Sequence, residues 1–163
     1  MLNVCYLILG SNKGDKRKNI ENANKYILSN IGEIEKYSSI YESKAWGYND
    51  PEPYYNQVIK LLTHLDPQTL LQKCLEIEDK LGRIRTGNHY ENRTIDIDIL
   101  FHDKKIIETD NLVIPHPRLH LRNFVLIPLL EISPDLVHPV LNKSISELAL
   151  GCNDTGKIKK LVI

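Results

Sequence analysis

Hydrophobic and polar positions along the chain predict strands and helices in a regular order. An apolar run from Val4 to Leu9 is typical of a buried strand, and apolar positions between Arg17 and Asn30 recur at helical spacing. Strands are also predicted over 34–41 and 55–65. A second helix begins at Asp66-Pro67, where Asp is the N-cap and Pro is the first helical residue. With the aspartate strand described below, the order βαββαβ predicts an α+β fold, in which helices flank a mostly antiparallel sheet.

Further elements are predicted in the second half of the chain. A turn over His102–Lys105 is expected to lead into a strand at Ile106-Ile107, so that a hairpin forms. Residues 124–132 predict a short helix, and Ser144 opens a segment with the spacing of a capping box. The tail over 157–163 predicts a last strand. These segments add strands and helices to the βαββαβ core.

The segment Arg93–Leu100 alternates polar and apolar residues and carries two aspartates. With a period of two, Asp96 and Asp98 project from one face of a strand, and three isoleucines project from the other face into a core. Asp is depleted from strands, and like charges at neighbouring positions of one face repel each other. The pattern therefore favours a bound cation, and oxygen ligands favour Mg²⁺. The alternative is the solvated face of an edge strand.

Composition limits the classes of protein that the chain can belong to. Its 163 residues suffice for one buried core and show no linker or repeat, so one domain over 1–163 is predicted. Lys plus Arg and Asp plus Glu number 21 each, so the net charge is +0, and neither a nucleic acid nor a membrane partner is expected. The N-terminus resembles neither a signal peptide nor a membrane span. Three widely separated cysteines suit a reducing cytosol, so a cytoplasmic location is expected.

A glycine-containing segment follows the first predicted strand. Gly10 and Gly14 lie between strand and helix, as in phosphate-binding loops. A P-loop requires Lys and then Ser or Thr directly after the last glycine, but Asp15 follows Gly14 here. A tight turn between strand and helix is therefore the favoured interpretation.

Cationic residues surround the aspartate strand. Arg83 and Arg85 lie in a long polar loop predicted over 83–92, and Arg93 begins the strand. They could form a surface salt-bridge cluster or clamp a polyphosphate, and the second explanation fits better because Arg binds phosphate oxygens bidentately. His116 stands between two prolines, and either donation to a phosphate or capping of a turn is consistent with its sequence.

Aromatic residues provide flat apolar surfaces near a polar amide. Tyr54, Tyr55 and Phe124 could each belong to an ordinary core, and Asn56 lies beside the tyrosines. Trp46 is harder to place in a core, because it lies in a Pro- and Gly-containing loop predicted over 42–53. Long loops in compact domains tend to be functional.

Motifs along residues 4–150 together resemble one family of enzymes. They are Leu9-Gly10-Ser11-Asn12, Tyr41-Glu42-Ser43 with Trp46-Gly47, Tyr54-Tyr55-Asn56, Glu78 with Gly82-Arg83-Ile84-Arg85, Arg93-Thr94-Ile95-Asp96-Ile97-Asp98, and Pro115-His116-Pro117-Arg118 with Arg122 and Phe124. The family is 6-hydroxymethyl-7,8-dihydropterin pyrophosphokinase, of folate biosynthesis. The resemblance implies a ferredoxin-like fold and transfer of pyrophosphate from ATP, the co-substrate, to the pterin hydroxymethyl group, with release of AMP.

The resemblance also implies roles for individual residues. Two Mg²⁺ ions would be bound by Asp96 and Asp98, and the catalytic set would be Arg85, Arg93, Asp96 and Asp98. ATP would be bound by Glu78, Arg85, Arg93, Ile99, His116 and Arg122. The pterin would be bound by Ser43, Trp46, Tyr54, Asn56 and Phe124.

One loop departs from the family pattern. His89-Tyr90-Glu91-Asn92 stands where many members carry Arg-Trp-Gly-Pro, so a fixed guanidinium is replaced by a titratable imidazole. Weaker binding of ATP or a more mobile loop is the resulting hypothesis. Lys44 and Ala45 also stand where prolines are common, which concerns the local geometry of the pterin loop.

Two alternative functions stay open on the residues alone. A two-metal phosphohydrolase would account for the aspartates and arginines, but it leaves the aromatic residues and Asn56 without a role. An RNA-binding ferredoxin-like module shares the predicted topology. The net charge of +0 and the lack of an RNP1-like aromatic strand argue against it.

Overall fold

Most of the predicted strands and helices are present in the structure, a computed structural model that describes residues 1–44, 52–82 and 94–162. The strands are β1 (Asn3–Ser11), β2 (Glu33–Tyr37), β3 (Tyr41–Ser43), β4 (Tyr54–Thr63), β5 (Asp96–His102), β6 (Ile107–Glu108), β7 (Val113–Ile114) and β8 (Ile158–Lys160). The helices are α1 (Lys16–Asn30), α2 (Pro67–Lys80), α3 (Asn123–Ile132) and α4 (Ile145–Leu150), and a 3₁₀ turn covers Leu119–Leu121. The predicted α+β class is confirmed.

The main sheet has the strand order β5-β1-β4-β3-β8, and β2 also pairs with β4. Every pairing in it is antiparallel. β2 and β3 share one edge of β4, so the single strand predicted over 34–41 is broken in two. At the break, the Ser38 N–H donates to the Val58 carbonyl, and the Ser38 hydroxyl accepts from the Val58 N–H. The antiparallel order β5-β1-β4, with β2 and β3 beyond β4, shows that the first βαββαβ elements form the expected ferredoxin-like core.

The two faces of the sheet are covered by different helices. Helices α1 and α2 pack on one face, where Ile20 and Leu70 meet Leu7 and Ile97. Helices α3 and α4 pack on the other face, where Leu126 joins a second cluster of buried residues. The site described below lies on this second face.

Helix starts follow the predicted chemistry. The Asp66 carboxylate accepts from the Thr69 N–H at 2.8 Å at the start of α2, and Ser144 forms the predicted capping box of α4 with Glu147. Such caps satisfy backbone N–H groups that have no partner inside the helix. In the part of the chain that the structure describes, no helix is long and apolar enough to cross a membrane.

Two local predictions are wrong. The turn after β5 forms, since the Lys105 N–H donates to the His102 carbonyl, but β6 pairs with β7 and not with β5. The reason is that the Leu100 carbonyl of β5 accepts from the His116 N–H instead. The second difference is at the first glycine, because β1 continues to Ser11 and so Gly10 lies in a strand and not in a turn.

Candidate active site

β5 presents its two aspartates on the sheet face that α3 and α4 cover only in part. The isoleucines in and directly before β5 lie in the core as predicted, and Ile95, Ile97 and Ile99 are 0%, 3% and 5% exposed. Asp96 and Asp98 are half-buried on the opposite face. β5 is an edge strand of the main sheet, as the alternative interpretation required. Its carboxylates are nevertheless not part of a freely solvated surface.

Gly10 lies between the amide of Asn56 and the carboxylate of Asp96 on one face of the sheet. In β1 it pairs with Asn56 of β4 on one side and with Asp96 of β5 on the other. Directly paired residues share a face, so these two side chains flank the glycine. A Cβ atom at Gly10 would lie 3.0 Å from the Asn56 Oδ1 and 3.7 Å from the Tyr54 ring. Glycine therefore keeps open the space that Asn56 borders.

Asn56 is held by a neighbouring strand. Its Nδ2 donates to the Ser43 hydroxyl of β3 at 2.9 Å, and both side chains are buried. Tyr54 is half-buried and pairs with Ser43 across the two strands. Three residues that the family resemblance assigns to pterin binding, Ser43, Tyr54 and Asn56, are thus close together on one face.

The start of α3 brings a cation and an aromatic ring to the same face. The Arg122 guanidinium carbon lies 5.6 Å from the centre of the Phe124 ring, and both side chains are half-buried. Burial and the neighbouring charge of Arg118 lower the pKa of Arg122, whereas the charges of Asp98 and Asp96 act in the opposite direction. Arg122 is therefore within electrostatic range of both carboxylates, and cationic and anionic parts of the site are adjacent.

His116 lies beside the edge of β5. Its backbone N–H donates to Leu100, and its Nδ1 accepts from the Arg118 N–H at 3.2 Å. Burial, followed by the charges of Arg122 and Arg118, lowers the pKa of His116 to about 4. The imidazole is therefore neutral at pH 7, with its proton on Nε2, from which it can donate a hydrogen bond. The turn-capping alternative is thus observed at Nδ1, and donation to a phosphate stays a prediction.

Two predicted ATP-binding residues lie on the opposite side of β5 from the aspartates. The Glu78 side chain is 1% exposed, and its Oε2 accepts from the Ile97 N–H at 2.7 Å. Ile99 is buried in the core between the sheet and the first two helices. Glu78 thus joins α2 to the aspartate strand. The contact of these two residues with adenosine stays a prediction.

Other predicted residues lie outside the described part of the chain. They are Trp46, Arg85 and Arg93, together with the divergent segment His89–Asn92. Their roles stay predictions from the sequence.

The donor set on β5 fits Mg²⁺ better than a metal held by protein alone. Within residues 1–44, 52–82 and 94–162, no group of three or more His, Cys, Asp or Glu could hold a metal ion. Mg²⁺ usually takes one or two carboxylates, retains water, and completes its shell with substrate phosphates. Asp96 and Asp98, with cations close by for the phosphates, match that requirement.

Comparison with known proteins identifies related sequences over most of the chain. The sequence model described as 7,8-dihydro-6-hydroxymethylpterin-pyrophosphokinase (HPPK) matches residues 6–134. The 2-amino-4-hydroxy-6-hydroxymethyldihydropteridine pyrophosphokinase of Aquifex aeolicus is 43% identical over 144 residues, which cover 88% of this chain and 89% of that protein. The enzyme of the same name from Bacillus subtilis is 40% identical, over 81% of this chain and 79% of the relative.

Some relatives are much longer than this chain. Folic acid synthesis protein FOL1 of Dictyostelium discoideum is 38% identical over 98% of this chain, which spans only 24% of that protein. A solved structure of HPPK-DHPS in complex with substrates has a TM-score of 0.73 at 16% identity, over 91% of this chain and 43% of that chain. Plasmodium falciparum HPPK-DHPS with pteroate also has a TM-score of 0.73, at 19% identity, over 92% of this chain and 42% of that one. At these identities the structural matches show the fold.

Fold, site and comparisons together define the class as ATP-dependent diphosphotransferases. The chain belongs to the 7,8-dihydro-6-hydroxymethylpterin-pyrophosphokinase (HPPK) family. The activity of this family is pyrophosphoryl transfer from ATP to hydroxymethyldihydropterin in folate biosynthesis. The resemblance seen in the sequence motifs is confirmed, and it is this hypothesis, not the phosphohydrolase or the RNA-binding module, that the comparisons support.

Proposed function

We propose that the sheet face carrying Gly10, Asn56 and Asp96 is the place where ATP and 6-hydroxymethyl-7,8-dihydropterin meet for pyrophosphoryl transfer. The observation that carries this proposal is the strand register. Gly10 pairs with Asn56 on one side and Asp96 on the other, so a group for pterin recognition and a group for phosphate chemistry face one open space. A reaction between two bound substrates needs this proximity.

On the phosphate side, Asp96 and Asp98 hold two Mg²⁺ ions in this proposal. When bound, the ions would supply positive charge that neutralises the triphosphate and Lewis acidity for the transfer, in which the pterin hydroxyl oxygen displaces AMP. Arg122 adds a positive charge within electrostatic range of both carboxylates, and neutral His116 adds an N–H donor. The family resemblance assigns Arg85 and Arg93 to the same phosphates.

On the pterin side, recognition is divided between an amide and aromatic rings. Ser43 fixes the amide of Asn56 by accepting from its Nδ2, so that Oδ1 borders the space above Gly10. A pterin N–H donates to that oxygen, and the rings of Tyr54 and Phe124 cover the faces of the bicycle. Stacking supplies adhesion, and the buried hydrogen bonds discriminate between ring systems.

The products of a single assay test the proposed reaction. The protein is incubated with ATP, Mg²⁺ and the pterin alcohol, and ³¹P NMR follows the phosphorus species. We expect AMP and a pterin diphosphate to appear together. Formation of ADP and free phosphate, or turnover of ATP without the pterin, would contradict the proposal and favour a hydrolase.

Two substitutions test the metal assignment. Asp96→Asn and Asp98→Asn should each abolish transfer and retain the fold, because they remove charge from half-buried positions and leave the core contacts intact. Asp110→Asn, at an exposed aspartate between β6 and β7, is the matched control and should keep full activity.

A direct count of bound metal separates loss of ions from other causes. Electron paramagnetic resonance with Mn²⁺ and a non-hydrolysable ATP analogue should count two ions in the parent protein and fewer in each β5 variant. An unchanged count in either variant would remove the metal role from that aspartate.

A further inference from the structure

The C-terminal segment 154–160 lies beyond the part of the chain that matches the family model, which ends at residue 134. No motif in it suggested a role. In the structure it nevertheless contacts both elements that border the proposed pterin pocket, the space between the Phe124 ring of α3 and the Asn56 amide that β3 fixes. One contact is with the start of α3, and the other is with β3.

Helix α3 takes its N-terminal cap from this segment. Its own N-cap residue, Arg122, makes no side-chain capping bond. Instead the Asp154 Oδ2 accepts from the Asn123 N–H at 2.9 Å, and the Asp154 carbonyl accepts from the Asn123 Nδ2 at 2.7 Å. The other carboxylate oxygen accepts from the Gly156 N–H at 2.9 Å. Both carboxylate oxygens of Asp154 are therefore used, and its position is fixed from two sides.

The capped residue stands between two residues of the site. Asn123 follows Arg122, which lies within electrostatic range of Asp96 and Asp98, and precedes Phe124. Through two hydrogen bonds to Asn123, Asp154 sets where the first turn of α3 lies. A shift of this turn would move the guanidinium and the aromatic ring together.

The same segment then pairs with the strand on the other side of the pocket. In β8, Ile158 pairs with Ser43 and Lys160 pairs with Tyr41 of β3. Ser43 in turn accepts from Asn56 at 2.9 Å. Residues 154–160 thus connect the helix that carries Phe124 to the strand that fixes the amide of Asn56.

We propose that Asp154 is a positioning residue of the active site. By capping α3 from the C-terminal segment, it holds Arg122 and Phe124 in place relative to Asn56. This role rests on the proposed function, in which Phe124 stacks on the pterin. The proposal assigns Asp154 no contact with either substrate. A displacement of about 1 Å at a binding or reacting group can cost about 100-fold in rate, so a loosened first turn is expected to be measurable.

The test compares two helix caps of the same chemistry. Asp154→Ala removes the cap of α3, and Asp66→Ala removes the cap of α2, which accepts from Thr69 at 2.8 Å. Urea denaturation should show similar losses of stability for both variants. Fluorescence titration should show roughly tenfold weaker pterin binding for Asp154→Ala alone, in line with the cost of misplacement. Its KM for the pterin should rise, whereas Asp66→Ala should leave KM and kcat unchanged.

A conservative variant and a local probe complete the test. Asp154→Asn keeps one acceptor oxygen, so it should restore part of the affinity that Asp154→Ala loses. Hydrogen exchange of the backbone N–H of Asn123 should accelerate in Asp154→Ala and not in Asp66→Ala. If Asn123 exchanges faster while pterin affinity stays unchanged, or if both variants weaken pterin binding equally, the positioning role is overturned.

Results that refute the proposed function can be distinguished from results that refute the role of Asp154. Phe124→Ala with unchanged pterin affinity would show that this ring does not stack on the substrate, whatever Asp154 does. Absence of a pterin diphosphate in the ³¹P assay of the parent protein would refute the reaction itself. Neither result depends on the Asn123 exchange measurement.

Discussion

Substitution of Gly10 by alanine tests whether the space above this residue belongs to the pterin. The added methyl group would lie 3.0 Å from the Asn56 Oδ1, a distance that requires the amide to move by a few tenths of an ångström. The amide is not free to move without cost, because its Nδ2 donates to the buried Ser43 hydroxyl at 2.9 Å. Gly10→Ala is therefore expected to disturb pterin recognition directly.

The expected magnitudes differ for stability and for binding. Replacement of a strand glycine by alanine stabilises by about 0.4–1 kcal/mol through the unfolded chain, and the close contact offsets part of this gain. The free energy of unfolding should therefore change by less than about 1 kcal/mol. An impaired buried hydrogen bond costs about 1–3 kcal/mol, which weakens pterin binding by about 5-fold to about 150-fold.

ATP binding should respond much less than pterin binding. The three atoms nearest to the added Cβ all belong to β4, in Asn56, Tyr54 and Tyr55, and none belongs to Asp96. Isothermal titration calorimetry with a non-hydrolysable ATP analogue and then with the pterin measures both affinities on one sample. Gly151→Ala is the matched control, because a Cβ there would meet the Glu147 carbonyl at an ordinary 3.5 Å.

Two results would refute this reasoning. Unchanged pterin affinity in Gly10→Ala would mean that the substrate does not use the space between Asn56 and Asp96. A large loss of stability would mean that the methyl group cannot be accommodated by a small movement of the amide. In that case the binding data would report on misfolding and not on recognition.

The remaining predictions concern the supports of the aspartate strand. Glu78→Ala leaves the buried Ile97 N–H without its carboxylate, and it should lower the unfolding free energy by about 1–3 kcal/mol in urea denaturation. Glu76→Ala, at a half-exposed position of the same helix, should cost far less, and equal losses would contradict the importance of the bond. His116 has a pKa of about 4 when folded and 6.5 as its ordinary value, so the unfolded chain binds the proton first as the pH falls. Stability of the ligand-free protein should therefore fall by up to about 3 kcal/mol from pH 6.5 to pH 4. This part of the pH dependence should disappear in His116→Asn, and an unchanged slope would assign it to other groups.

Local patterns in the sequence predict the elements of this fold well where period and capping chemistry agree. The isoleucines of β5 are in the core because a two-residue period with apolar residues on one side leaves a strand only one favourable orientation. The start of α2 follows from Asp66 and Pro67, which act within one helical turn. The wrong hairpin after His102 shows the limit of such reasoning. Turn residues determine that the chain bends, but the partner of the next strand depends on which edge is still available.

The parts of the site that the sequence did not reveal depend on contacts between distant segments. Nothing near Gly10 indicates that it stands opposite Asn56 and Asp96, because the register of three strands is set by loops and packing elsewhere. The capping role of Asp154 was hidden for the same reason, since its partner Asn123 is 31 residues away. An aspartate followed two residues later by a glycine is a local turn signal, and that signal says nothing about a remote helix.

The boundary between core and active site is set within β5 itself. In its pairing with β1, Phe101 lies opposite Tyr6 and Ile99 lies opposite Leu7, so Leu100 between them is an extra residue. Both Leu100 and Phe101 are buried in the cluster under α3 and α4. Such a bulge places consecutive side chains on one face. The face that is charged at Asp98 is therefore apolar at Leu100 and Phe101.

Helix α3 spans both sides of this boundary. Arg122, directly before its first turn, is within electrostatic range of the carboxylates, and Leu126 lies in the apolar cluster with Leu100. A displacement of α3 would disturb the apolar cluster and the cationic group at once. We therefore expect stability and the phosphate binding proposed for Arg122 to be coupled at this helix. At Gly10, stability and pterin binding are expected to separate, because the added methyl group would meet Asn56 and Tyr54 and not the core.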